Sequence, residues 1–206
     1  MSKKQYVNYS SSVSCSTEVT KQITGCRFTL SPMSDNYISI ILNALKSVDT
    51  SKIWSKSDKL STVYRGKRVH VQDALKSLFI HSYTEGIHMN LEATFSKGCP
   101  GDTEGESLLD CDDNLVNEQS ISSINFPVEC KIALYPLGEG DYMDVIAHVV
   151  NSAIDRGLYS ESAHYCTFLK GDVHSLFSYI DFVNEYCGSH LDHYVFEVTM
   201  AVNLPE

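Results

Sequence analysis

The chain repeats itself, which restricts it to folds that can be built twice from one unit. Cys26-Arg27-Phe28-Thr29-Leu30-Ser31-Pro32-Met33 lines up with Cys130-Lys131-Ile132-Ala133-Leu134-Tyr135-Pro136-Leu137 at an offset of 104 residues. Beyond the prolines the offset is 105: Tyr37 meets Tyr142, Ile41 meets Ile146, Thr62 meets Thr167 and Gly66 meets Gly171. Glu92 with Glu197 and Thr94 with Thr199 close the series at the same offset. Each match is weak alone. The signal is their constant register, broken by one slip between the Pro and the Tyr.

Within each copy the hydrophobic period switches in the same order. Arg27 to Leu30 alternates, with Phe28 and Leu30 on one face, and predicts a strand. Asp35 is placed to cap a helix whose apolar stripe is Tyr37, Ile38, Ile41, Leu45 and Val48. Lys52 to Lys56 and Leu60 to Arg65 predict a hairpin around Ser57-Asp58. A second helix carries Val71, Ala74, Leu75, Leu78 and Phe79, and Met89 to Phe95 predicts a last strand. The second copy follows suit. Glu129 to Leu134 predicts a strand, and a helix bears Tyr142, Val145, Ile146, Val149, Val150 and Ala153. Strands near Tyr159 and from His164 to Leu169 come next, then a helix bearing Val173, Leu176, Phe177, Ile180 and Val183. Tyr194 to Val202 predicts the closing strand.

The order βαββαβ predicts an α+β chain of two tandem ferredoxin-like repeats, each a four-stranded antiparallel sheet with two helices on one face. The expected organisation is a flexible tail over 1–22, repeats over 23–96 and 127–206, and an irregular connection over 97–126.

Hydrophobic residues make up 43% of the 206 and charged residues 20%, as in an ordinary globular core. The net charge of −10 argues against nucleic acid and against anionic membrane surfaces as partners. No apolar run approaches the roughly 20 residues that cross a bilayer, and the first residues lack the apolar core of a secretory signal. The expectation is a cytoplasmic protein. The seven cysteines include no C-x-x-C pair, so they read as reduced, mostly buried thiols.

Chemistry-bearing constellations are scarce. There is no Walker A loop, no nucleophile elbow and no H-E-x-x-H. Of the eight histidines, His190 and His193 are expected on opposite faces of a strand, which separates them as metal ligands. Cys166 has no acid or imidazole placed by the sequence to activate it. The Gly- and Asp-rich stretch from Gly98 to Glu106 does not have the spacing of a calcium loop. No catalytic residue, metal or cofactor is assigned. What stands out is polar. Leu60, Thr62 and Tyr64 share one face of a strand, as do Tyr165, Thr167 and Leu169, so each copy sets a hydroxyl among apolar groups. Such a hydroxyl is satisfied either by nearby backbone or by a ligand. Pro32 and Pro136 end the first strand of each copy and interrupt the ladder, freeing backbone near Leu30 and Leu134. In a ferredoxin-like unit that strand end lies beside the third strand, and a flat heteroaromatic ring fits between them.

The run from Arg27 to Asp35, the segment from Asp49 to Gly66, Gly98 to Thr103, Ala133-Leu134-Tyr135-Pro136, Asp141-Tyr142-Met143 and Thr199 to Leu204 resemble the YkoF-like family of thiamine- and hydroxymethylpyrimidine-binding proteins. The likeness covers about residues 24 to 204. It implies a bacterial, cytosolic homodimer of two ACT-like, ferredoxin-like repeats. Each repeat would bind one thiamine, or its hydroxymethylpyrimidine half, without turnover. It further implies a place in uptake or salvage of vitamin B1 precursors and a functional link to a vitamin transporter. The implied contacts are the backbone of Leu30 with the hydroxyl of Thr62, and the backbone of Leu134 with the hydroxyl of Thr167. Ser31 departs from a tyrosine that Tyr135 keeps, so these two positions are expected to make the sites differ. The N-terminal tail is longer than the resemblance requires.

Two other readings stay open on the residues: an ACT-type regulatory domain binding an amino acid, and an enzyme, since ferredoxin-like folds host many activities. The sheet face away from the helices carries Glu92, Thr94, Glu197 and Thr199. These are too polar for a dry core and suit a wet sheet-to-sheet contact within or between chains.

Overall fold

The structure, a computed structural model, describes residues 22–97, 104–137 and 141–205. The predicted tail falls almost wholly outside these residues, as do Gly98 to Thr103. The first repeat runs β1 (Thr24–Pro32), α1 (Tyr37–Ser47), β2 (Trp54–Ser57), β3 (Thr62–Gly66), α2 (Arg68–Ser82) and β4 (Met89–Lys97). The second runs β5 (Pro127–Leu137), α4 (Tyr142–Asp155), β6 (Tyr159–Ala163), β7 (Cys166–Asp172), α5 (Val173–His190) and β8 (His193–Val202). Between them lie a 3-10 turn at Glu106–Leu108 and the short helix α3 (Glu118–Ile121).

Each repeat is ferredoxin-like, with strand orders β2-β3-β1-β4 and β6-β7-β5-β8, but the two sheets are one. β4 and β8 pair antiparallel from Met89↔Val202 to Ser96↔Val195 and make a continuous eight-stranded sheet. Ala93 lies opposite Val198, its own counterpart at the offset of 105, so a pseudo-two-fold axis passes between them. Met89, Leu91, Ala93 and Phe95 of β4 alternate inward with Tyr194, Phe196, Val198 and Met200 of β8, and all are buried under the helices. On the other face Arg27, Glu92, Thr94, Lys131 and Glu197 are exposed. The polar fourth-strand residues therefore meet edge to edge within the chain, and their outer face is left open.

Several sequence expectations need correction. Asp35 does not cap α1: Asn36 holds the cap position without a side-chain bond, and Ser34 Oγ accepts from the Asn36 N–H at 3.2 Å. The side-chain cap belongs to α5, where Asp172 Oδ1 accepts from the N–H groups of His174 and Ser175 at 3.0 Å. His190 ends α5 and His193 opens β8, so no strand carries both; each ring nitrogen instead meets a backbone carbonyl, of Tyr186 and Lys97 respectively. His164 and Tyr165 form a hairpin tip rather than strand, with Tyr165 at φ +68°. β5 runs one residue past Pro136.

Helix α2 is the most enclosed element. It packs against α1, α5, α3 and two strands, and its polar residues His70, Gln72, Asp73 and Ser77 are buried along with its apolar stripe. The connection contributes beside α1 and α5. Ile121 and Phe126 join the core, and the Phe126 ring stacks on Tyr83 at 3.9 Å. Asp73 Oδ2 accepts from Val116 N–H, Asn117 N–H and Asn117 Nδ2 at 3.2, 3.1 and 2.8 Å. Lys76 pairs with Glu118 at 2.9 Å and Lys52 with Asp112 at 2.7 Å. These contacts strap the connection to the first repeat. Cys26, Cys130 and Cys187 are buried free thiols, and burial pushes Cys130 and Cys187 up to about 12. Cys111 and Cys166 are half-buried; Cys15 and Cys99 lie outside the described residues.

Candidate functional site

The end of β1 and the start of β3 create a recess by stopping their ladder early. Their pairing ends at Phe28↔Thr62, whereas β1 continues along β4 to Pro32↔Met89. Backbone polar groups point alternately to the two sides of a strand. The Met33 N–H bonds the His88 carbonyl beside β4 at 2.8 Å, so even-numbered residues of β1 direct theirs to the β3 side. Leu30 is the first of them beyond the ladder, and among the described residues its N–H and C=O have no partner there.

The same arithmetic holds in the second copy. β5 and β7 pair as far as Ile132↔Thr167. The Val173 N–H bonds the Phe126 carbonyl in the same register, which fixes the even-numbered residues of β5 as those facing β7. The backbone of Leu134 is then free in the way that of Leu30 is. A prominent backbone donor and acceptor at a strand end is the kind of edge that adds an extended or planar partner.

In the first copy this backbone borders a cavity of about 220 Å³. Phe28 and Leu30 come from β1, Thr62 from β3, Ile41 and Leu45 from α1, and Leu78 from α2. The apolar stripe predicted for α1 is only partly spent on the core: Val48 is its one buried residue, beside Ala44 off the stripe, and Ile41 and Leu45 wall the cavity. The Thr62 hydroxyl lies 2.8 Å from Ser57 Oγ, so the pair has one proton left to donate. The structure thus brings Leu30 and Thr62 together. It does not bring in Ser31, whose side chain alternates to the open face, as does that of Tyr135, 3.5 Å from Glu197 Oε2 there. Ser31 therefore does not line the recess that Leu30 borders, and Tyr135 lies on the face of β5 opposite Leu134.

What distinguishes the copies is the hairpin tip. In the first, Asp58 Oδ1 accepts from Leu60 N–H at 2.8 Å and Ser61 N–H at 2.9 Å, while Oδ2 meets Arg27 at 2.8 Å. The Thr29 hydroxyl donates to the Leu60 carbonyl at 3.2 Å. The Leu60 N–H, the Arg27 guanidinium and the Ser61 N–H hold the Asp58 carboxyl far below the usual carboxylate range. The second copy has Ala163 for Asp58 and Ala133 for Thr29, and its shorter tip, His164-Tyr165, is closed instead by the Ala163↔Cys166 backbone pair. Leu60 and Tyr165, counterparts at the two tips, are 84% and 93% exposed. Thr167 is buried, and its hydroxyl has no hydrogen-bond partner among the described residues. The sequence places Ser57 and Asp58 at a turn and Ile41 and Leu45 on a core stripe, and assigns none of them to the site. The Asp58-to-Ser61 spacing, an Asx-turn signal, was the available clue to the tip.

The sequence model of the YKOF-related Family matches residues 23–102 and matches again over 127–206. The chain belongs to the YkoF-related family. A relative from Bacillus subtilis (strain 168), named "Putative HMP/thiamine-binding protein YkoF", is 40% identical over 186 residues, 90% of this chain and 93% of that protein. The repeat boundaries of the family match coincide with the paired ferredoxin-like units of the fold. Among the described residues no helix is long and apolar enough to cross a membrane, and no group of three His, Cys, Asp or Glu residues is placed to hold a metal ion.

Proposed function

We propose that this member of the YkoF-related family binds thiamine or its hydroxymethylpyrimidine half, one molecule per repeat, as a carrier without turnover. The observation that carries the reading is the unpaired Leu30 backbone beside the Thr62 hydroxyl in an apolar-walled recess. An aminopyrimidine presents ring-nitrogen acceptors and an exocyclic amine donor on one edge. A backbone N–H, a carbonyl and a hydroxyl match that edge, and Phe28, Ile41 and Leu78 suit its faces. A volume of about 220 Å³ suits a single six-membered ring with substituents, since cavities of about 150 Å³ take up benzene. The thiazolium of thiamine is a cation, which a chain of net charge −10 does not repel. The printed name of the Bacillus relative supports the same ligand class. Leu134 and Thr167 make the second site, beside the exposed Tyr165 tip. A cytoplasmic role in vitamin B1 precursor uptake or salvage, beside a transporter, fits a carrier of this kind.

Calorimetry with thiamine, hydroxymethylpyrimidine and a panel of amino acids tests the reading. The expected result is two ligands per chain, unequal in affinity, with no heat from amino acids and an unaltered ligand by mass spectrometry. Binding of an amino acid alone would replace it with the ACT-type regulatory reading, and a turnover product with an enzyme. The open sheet face, with Glu92, Thr94, Glu197 and Thr199, is the surface for a homodimer. Sedimentation showing a monomer at micromolar concentration would remove that assembly.

A further inference from the structure

The β2–β3 tip gives the first recess a charged rim. Asp58, Lys59, Leu60 and Ser61 border the same cavity of about 220 Å³ as Leu30 and Thr62. Asp58, Lys59 and Leu60 are exposed and Ser61 is half-buried, so they stand at its mouth rather than its floor. The charges of this rim are unevenly spent. Asp58 is matched by Arg27 at 2.8 Å, and its carboxyl also accepts from the Leu60 and Ser61 N–H groups. Lys59 has no ion-pair partner among the described residues, and neither has Lys56 on the strand that leads into the tip. With Asp58 offset by Arg27, the tip is left net cationic.

The second copy carries a different balance. At the offset of 105, Glu161 stands for Lys56, His164 for Lys59 and Ala163 for Asp58. Glu161 is exposed, with no ion-pair partner among the described residues. Both lysines of the first tip are therefore gone from the second, although each copy keeps its strand-end leucine and its threonine. In a chain of net charge −10 a cationic rim runs against the overall field. It borders a recess whose other walls are Phe28, Leu30, Ile41, Leu45 and Leu78, none of them charged. A ligand that uses both parts has a flat ring for the recess and an anionic group close to that ring for the rim.

We propose that the first recess selects a phosphate monoester of its heteroaromatic ligand, with Lys59 as the specificity-determining residue, while the second takes the uncharged or cationic form. This rests on the aminopyrimidine reading given above and adds the charge class of the ligand. The phosphate is carried on the ring's own hydroxymethyl group, because the cavity holds about one substituted ring and Lys59 borders that same cavity. A phosphate at the far end of thiamine would lie beyond the rim. A phosphate monoester carries a charge of about −1.5 to −2 at pH 7, with strong acceptor oxygens. The lysine ammonium answers it with a compact positive charge and rotatable donors on a flexible stem. The two sites then differ in kind and not only in strength.

Calorimetry on the full chain compares hydroxymethylpyrimidine with its phosphate ester, and thiamine with thiamine monophosphate. Amide chemical shifts at residues 58–62 and 163–167 assign each binding event to a site. At low salt the ester should bind the first site about fivefold more tightly than the alcohol, the upper end for an exposed ion pair. That ratio should shrink toward one in about 1 M salt. In Lys59→Gln the ratio should fall to about one, and in Lys59→Glu it should invert. The Lys59 side chain has no partner among the described residues, so both variants should melt with the wild type. A ratio of one in the wild type, a ratio unmoved by either variant, an equal ratio at the second site, or a gain for thiamine monophosphate alone would overturn the proposal and leave the carrier reading intact. Binding of none of the compounds would remove both.

Discussion

The two threonines carry different local accounts, and that makes them separable. Thr62 is half-buried with Ser57 at its hydroxyl, so Thr62→Val leaves a serine that solvent can satisfy. The melting temperature of the free protein should hardly move. Thr167 is 8% exposed and its hydroxyl oxygen is not sealed from solvent, so Thr167→Val should leave stability nearly unchanged. In both variants a bound aminopyrimidine loses a hydrogen bond in a dry site. That costs about 1–3 kcal/mol, or roughly five- to 150-fold in affinity at the altered site. Calorimetry of both variants with thiamine, alongside thermal melts without it, checks the forecast. Unchanged affinity in both would leave the backbone of Leu30 and Leu134 as the recognition edge.

At the scale of elements, side-chain bonds pin the four-residue tip of the β2–β3 hairpin, whereas the β6–β7 hairpin closes on a two-residue turn at the Ala163↔Cys166 pair. The Asp58 carboxyl, held far down by its backbone and Arg27 partners, favours the ordered tip above the unfolded carboxyl value of 3.8. That contribution is lost as the pH falls below it toward the folded value. The connection follows the same sign. Lys52 holds the Asp112 carboxyl at about 2, and Lys67 depresses Asp113, so its strapping weakens as pH falls from about 4 toward 2. Asp58→Ala should speed amide exchange at Leu60 and Ser61 and lower affinity at the first site only. Acidification of the wild type to pH about 3 should loosen residues 104–126 before the core. Unchanged exchange at Leu60 and Ser61 in Asp58→Ala would refute the role of that carboxyl. Period-two and helical patterning, repeated at one offset, made the elements legible in the sequence, including β1, β3 and the Leu30 and Thr62 pair. What stayed hidden depends on a third layer. Gln72, Asp73 and Ser77 lie off the apolar stripe of α2, and α1, α5 and the connection packing round that helix bury them. The faces of Ser31 and Tyr135 were likewise settled by alternation along the real strands, not by residue type.

At the scale of the whole molecule, the repeats are halves of one body. A single apolar core runs under both, with Phe79 of α2 packed against both Phe126 and Phe177 at 6.0 and 5.9 Å between ring centroids. The candidate recess at Leu30 and its counterpart position Leu134 lie on β1 and β5, the strands that flank the β4–β8 pair on either side, and so are set apart in the sheet.

Joining β4 to β8 also settles how the molecule meets its neighbours in a crowded solution. A lone repeat would present a nine- or ten-residue strand as an unpaired margin, the template on which chains polymerise. Fusion turns those two long margins toward each other. The strands left outermost are β2 and β6, of four and five residues, mostly solvent-facing, and β6 is further broken by a bulge between Tyr159 and Glu161. Residues 127–206 produced alone should therefore recover the lost pairing through a second β8. Light scattering should find them as dimers or aggregates at concentrations where the intact chain stays dispersed.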